Sequence, residues 1–235
     1  MSTTNLRPAL SDLLVYLKEI GYEDLYLSAR RAVAQEAPVA VAPPDGEAAG
    51  RLAELSALAT AVSTCTRCRL SEGRHSVVFS SGAPTADLML VGEGPGADED
   101  RQGLPFVGPA GELLNKILQA IDVRRDDVYV ANVVKCRPPG NRDPQPDEVA
   151  ACRGYLDRQI ALVRPKLLVA LGKVAASALL GNDGPIGQVR GRWHAVQGIP
   201  TMVTYHPAAL LRNPALKRPT WEDMQQVRDR LREIG

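Results

Sequence analysis

Residues 88–100 read LMLVGEGPGADED, an apolar run that breaks into three glycines and a proline before three successive acids. A glycine turn after a buried strand invites a phosphate-cradle reading, but the chemistry here argues against one. Pro95 removes a backbone donor that such a cradle would use. Asp98, Glu99 and Asp100 would repel a pyrophosphate, and no lysine of the P-loop type follows. What remains is a loop whose glycines let a flat, neutral ring approach the backbone, with Glu93 and the later acids beside it.

The segments around this loop alternate between strand and helix. Asp87–Val91, 128–134, 166–171 and 199–205 are short, β-branched and apolar, and so are predicted as buried strands. Between them, Leu113, Leu114, Ile117 and Leu118 recur at helical spacing near 110–121. PDEVAACRGYLDRQIALV predicts a helix over 146–163, and VAASALL, ended by Gly181, another. Thr220 with Asp223 three residues on reads as a capping box opening the last helix. Alternating β and α elements imply an α/β fold, a three-layer α/β/α sandwich with a mostly parallel central sheet. Ligands in such sheets bind at the carboxyl ends of the strands. Here those ends are Gly92–Gly96, Asn132–Arg137 and Tyr205–Pro207.

The N-terminal part reads differently. Ser11 with Leu13, Leu14, Leu17 and Ile20 predicts a short amphipathic helix, so 1–31 is taken as an accessory helical arm. Residues 32–50, rich in Ala and Pro, read as a flexible linker, and 51–235 as the main domain. The chain has 235 residues, with 45% hydrophobic and 23% charged, ordinary for a soluble protein. No apolar stretch has membrane-spanning length and the N-terminus lacks a secretion-signal pattern, so a cytoplasmic, membrane-free monomer is expected. The net charge of +1 hides an asymmetry. Lys+Arg against Asp+Glu runs 12 to 18 through residue 134 and 16 to 9 thereafter. A basic second half suits a polyanionic partner, although solvated helix faces give the same count.

Four cysteines occur, Cys65, Cys68, Cys136 and Cys152, as C-x2-C, a long gap and C-x15-C. Cys65 and Cys68 lie in a polar segment and Cys136 just beyond a strand, poor places for packed core thiols. Four thiolates satisfy tetrahedral zinc or an iron–sulfur cluster equally well. Phe106, in GLPFVGPAG, sits on a loop where it can plug the core or stack on a ring. Asn132 offers a donor and an acceptor at a strand end, matching a pyrimidine's polar edge. His206 opens YHPAALLRNP, where Leu210, Leu211 and Arg212 have the character of a wedge with a phosphate-binding cation.

GEGPGADED, GLPFVGPAG, VYVANVVKCRPPGNR and YHPAALLRNP, together with the four cysteines, resemble the family 4 uracil-DNA glycosylases over roughly residues 60–235. The resemblance implies a [4Fe–4S] cluster on Cys65, Cys68, Cys136 and Cys152, with zinc as the alternative. It implies hydrolysis of the uracil–deoxyribose bond in single- or double-stranded DNA. Phe106 would stack on the everted uracil, Asn132 read its edge, and Gly94 and Gly96 line the ring. His206 would stabilise charge on uracil O2. Glu93 would activate water, with Glu99 or Asp100 as alternates, such electrostatic help contributing about 3 kcal/mol. Glu99 would also fill the space beside Gly96 that excludes a C5 methyl. Lys135, Arg137, Arg142 and Arg212 would touch phosphates while Leu210 and Leu211 enter the duplex. A uracil-DNA trapping protein and a metal-braced, non-catalytic scaffold are the alternatives. Residues 1–50 lie outside the resemblance; the N-terminal arm reads as a tail with one frayed helix, or as a dock for a repair or replication partner.

Overall fold

The computed structural model describes residues 46–181 and 183–234, so the expected arm helix and most of the linker lie outside the described residues. The described residues open with α1 (Gly46–Ser63), which starts before residue 51, so the last residues of the expected linker are helical. A single turn, α2 (Leu70–Gly73), precedes β1 (Ser81–Gly82) and β2 (Leu88–Gly92). Then come α3 (Ala97–Gln102), α4 (Pro109–Ala120) and β3 (Val128–Asn132). The long α5 (Pro146–Val163) has the bounds its periodicity predicts. It is followed by β4 (Leu167–Leu171), α6 (Lys173–Leu180) and the short α7 (Ile186–Val189). The hairpin β5 (Trp193–Val196) and β6 (Ile199–Thr204) leads into α8 (Pro207–Arg212) and the closing α9 (Lys217–Ile234).

The strands form one sheet in the order β1-β3-β2-β4-β6-β5. The inner four run parallel, with β1 and β5 antiparallel at the edges. Every residue of β2, β3 and β4 is buried, because helices cover both faces. That two-sided burial explains why these strands read as unbroken apolar runs rather than alternating ones. One core layer joins α5 and α6 to the sheet through Leu156, Ile160, Ala175 and Leu179. The opposite layer seats α4 and α9 through Leu114, Leu118, Trp221 and Met224. The chain is thus the expected three-layer α/β/α sandwich.

The start of the last helix differs from expectation. α9 begins at Lys217, placing Thr220 inside it, where the hydroxyl donates to Leu216 O at 2.9 Å. Asp223 does not cap; it points inward. It accepts from Thr204 Oγ1 at 2.6 Å and from the Arg190 guanidinium through Nε at 3.0 Å and through Nη2. Arg190 also lies 5.5 Å over the Tyr205 ring, so this buried cluster fixes the end of β6 just before His206. Removing one partner from a buried pair strands the other's charge. Asp223→Ala is expected to lose about 3 kcal/mol in urea unfolding; a loss under about 1 kcal/mol would mark the cluster as dispensable.

Candidate active site

The carboxyl ends of β2, β3 and β6 converge on a cavity of about 280 Å³. Glu93, Gly94, Gly96, Glu99, Phe106, Asn132, Arg142, His206 and Arg212 all line it, so nine of the expected site residues share one pocket. Its floor depends on a missing side chain. A Cβ on Gly92 would stand 2.4 Å from Asn132 Oδ1 and 2.7 Å from Phe106 Cζ. Glycine at the end of β2 therefore lets the amide and the ring approach from both sides.

Phe106 is held in an unusual backbone state, with φ of 57°. For a bulky residue this costs of order 1–3 kcal/mol and must be imposed by its surroundings. Glu99 imposes it: Oε1 accepts from the N–H groups of Val107 and Gly108 at 3.0 Å each, and Oε2 from Gly96 at 3.1 Å. Gly111 completes the clamp, since a Cβ there would collide with Phe106 O at 1.9 Å. These bonds correct the reading of Glu99 as a water activator. Its carboxylate is occupied by three backbone donors and serves to shape the loop. Asp100 is excluded as an alternate, because it is buried away from the pocket and accepts from the N–H groups of His75 and Ser76.

His206 faces Phe106 with ring centroids 5.5 Å apart and planes inclined by 29°. Its Nδ1 accepts from Ala208 N at 3.2 Å at the start of α8, which leaves the neutral ring's proton on Nε2. Burial, reinforced by the charge of Arg212 and opposed by Glu99, lowers its pKa to about 4. Glu93 shifts the other way. Burial and the neighbouring Asp143 raise it to about 7, with Arg212 opposing. Asn132 is 2% exposed, and its Oδ1 is buried without a hydrogen-bond partner among the described residues.

Two expected DNA contacts lie elsewhere. Lys135 is 1% exposed and its Nζ donates to Asn132 O and Gln159 Oε1, so it is an internal residue rather than a phosphate contact. Its polar neighbours in sequence disguised that. Leu210 packs fully buried beneath α8, while Leu211, one position on, is 49% exposed at the tip. Arg142 gives its guanidinium to Glu148 at 2.7 and 2.8 Å. That carboxylate, held near pKa 2 by the Arg142 bonds and also bound by Arg69, is a buried hub the sequence did not reveal. Asn141 and Asp143 also line the pocket unforeseen; their place in the GNRDP turn beside Arg142 was the available signal.

The four cysteines line a second, smaller cavity together with Arg67, Arg74, Lys135 and Tyr155. Arg74 Nη1 lies 3.2 Å from Cys136 Sγ. Burial raises the thiols of Cys136 and Cys152; Cys65, though burial opposes it, is lowered by the Tyr155 hydroxyl and Arg67. Among the described residues no group of three or more His, Cys, Asp or Glu side chains stands where it could hold a metal ion.

A doubly wound sheet with a cavity of about 280 Å³ at the carboxyl ends of its strands, beside a second cavity lined by four cysteines, defines an α/β protein with a rim site for a small ligand. The family model for the uracil DNA glycosylase superfamily matches residues 79–225, and the chain belongs to that superfamily. It is 44% identical to a type-4 uracil-DNA glycosylase of Sulfurisphaera tokodaii, over 72% of this chain and 80% of that protein. It is 43% identical to one from Thermotoga maritima, over 74% and 93% respectively. A type-5 uracil-DNA glycosylase of Pyrobaculum aerophilum is 33% identical over 62% of this chain and 71% of its own.

Arg212 lowers both Glu93 and His206, so Arg212→Gln should raise both midpoints. Carbon NMR titration is expected to find Glu93 near 7 and His206 near 4 in the wild type. Both should move upward in the variant; unmoved midpoints would show that the cation is screened from the pocket.

Proposed function

We propose that the protein is a DNA-repair hydrolase that cleaves the N-glycosidic bond of uracil after the nucleotide is turned out of the strand, leaving an abasic site. The observation that carries this reading is the buried Oδ1 of Asn132 at the pocket floor, which has no hydrogen-bond partner among the described residues. A buried acceptor without a donor costs about 1–3 kcal/mol, so the site is built for a ligand that brings an N–H. Uracil N3–H is such a donor, whereas cytosine presents a bare lone pair at the same atom.

With the base stacked on Phe106, the His206 Nε2–H donates to uracil O2. As the bond lengthens, its electron pair passes to the uracil ring and the sugar acquires oxocarbenium character. The neutral imidazole gains strength as a donor when O2 becomes anionic, and its depressed pKa keeps that tautomer in place at neutral pH. Glu93, ionised above about 7, stabilises the sugar cation and takes a proton from the water that bonds to C1′. The uracil anion then takes a proton at N1. Arg137 and Arg212 contact phosphates, Arg142 is held by Glu148 at the turn beside the pocket, and Leu211 occupies the gap the base leaves.

Cys65, Cys68, Cys136 and Cys152 would hold the [4Fe–4S] cluster. The fit rests on four thiols around one cavity, with Arg67, Arg74 and Lys135 beside it. Zinc, held tetrahedrally by the same four thiolates, is the alternative. When bound, the cluster supplies a covalent tie between the segment before the sheet and α5.

Incubation with a uracil-containing oligonucleotide at low salt should release free uracil and leave an alkali-labile site; intact oligonucleotide would overturn the reading. Glu93→Gln should lower kcat about 10²–10³-fold and remove the limb of the pH–rate profile that rises through about 7. Leu211→Ala is expected to raise KM for duplex substrate while leaving single-stranded substrate little changed. Equal effects on both would remove Leu211 from duplex entry.

A further inference from the structure

In the run Lys135–Cys136–Arg137, Lys135 turns inward. Its Nζ donates to Asn132 O at 2.7 Å and Gln159 Oε1 at 2.5 Å, and lies 6.0 Å from the centre of the Phe79 ring. Gln159 is itself oriented: its amide nitrogen donates to Tyr129 Oη at 3.0 Å and Phe79 O at 3.1 Å, which turns its carbonyl toward the ammonium. All of these partners are neutral. Among the described residues no carboxylate bonds to Lys135, although a buried cation needs a compensating charge. Lys135 also lines the four-cysteine cavity.

Four thiolates outweigh the positive charge of an iron–sulfur cluster's core, so a loaded centre presents net negative charge to this wall. We propose that Lys135 is the buried countercation of the four-cysteine centre and, through the Asn132 carbonyl, the positioning residue for the base-reading amide. The proposal rests on the iron–sulfur reading above. It gives the centre a part in base recognition without contact to DNA or turnover of electrons. The negative centre holds the ammonium, the ammonium holds the end of β3, and the Asn132 amide stays where Gly92 has cleared space for it.

The test uses holoprotein and two near-isosteric variants. Lys135→Met removes cation and donor; Gln159→Glu keeps both and adds an anion beside them. The readouts are iron content, the reduction potential of the centre titrated with dithionite, and Kd for free uracil by calorimetry. Both variants are expected to move the potential to more negative values, because the reduced centre loses compensating positive charge. Lys135→Met should also weaken uracil binding about tenfold, whereas Gln159→Glu should stay within about twofold. An iron-loaded Lys135→Met protein with wild-type potential overturns the countercation role, and one with wild-type uracil affinity overturns the positioning role. Should Lys135→Met not fold, an unshifted potential in Gln159→Glu overturns the proposal. Iron-free wild-type protein would overturn the cluster reading itself, and the Lys135 proposal with it.

Discussion

The pocket is organised around one amide oxygen. Asn132 Oδ1 is buried at the end of β3 and has no hydrogen-bond partner among the described residues. It can lie there because the adjacent end of β2 is Gly92, whose absent side chain leaves room for both the amide and Phe106. Phe106 in turn keeps its φ of 57° because Glu99 holds the two N–H groups that follow it. Strain at the ring and an unmet acceptor at the floor are both costs to the folded state, and both fall at the site of recognition. They sit on a sheet whose strands β2, β3 and β4 are buried along their whole length.

Electrostatics divide the labour between the two titratable walls. Burial drives Glu93 and His206 toward their neutral forms, one upward and the other downward. Arg212 favours the ionised carboxylate while disfavouring imidazolium, so it biases the pocket toward base and neutral donor together. On the proposed reading, an acid beside the sugar and an uncharged donor at O2 would suit a reaction that separates charge along the glycosidic bond, assisting release of the anion without a permanent cation beneath it.

Much of this was legible in the chain. The inner strands announced themselves as apolar runs because both sheet faces are covered, and the chemistry followed at their carboxyl ends. The edge strands did not. β1 has two residues, and β5 mixes exposed and buried positions, too short for a period to show. Residue identity also misled where direction decided the role. Lys135 sits among Cys, Arg and Pro yet points into the core, and Leu210 is buried where Leu211 is exposed. Glu99 was recognised as part of the pocket, but only its distances show that backbone donors occupy it. Glu148 carries the local signature of an N3 acid, accepting from Gln145 N at the start of α5 and from Arg142 six residues before it, but its bond to Arg69, 79 residues away, has none.

The account stands on the pairing of Asn132 Oδ1 with a pyrimidine N3–H. Two methylated bases of equal bulk isolate that bond: 1-methyluracil retains N3–H and carries its methyl where the sugar was, whereas 3-methyluracil lacks the donor. Inhibition constants for both, measured in one excision assay, test the claim directly. Inhibition by 1-methyluracil with loss of about 10²-fold or more for 3-methyluracil is the predicted result. Equal inhibition by the two would contradict it.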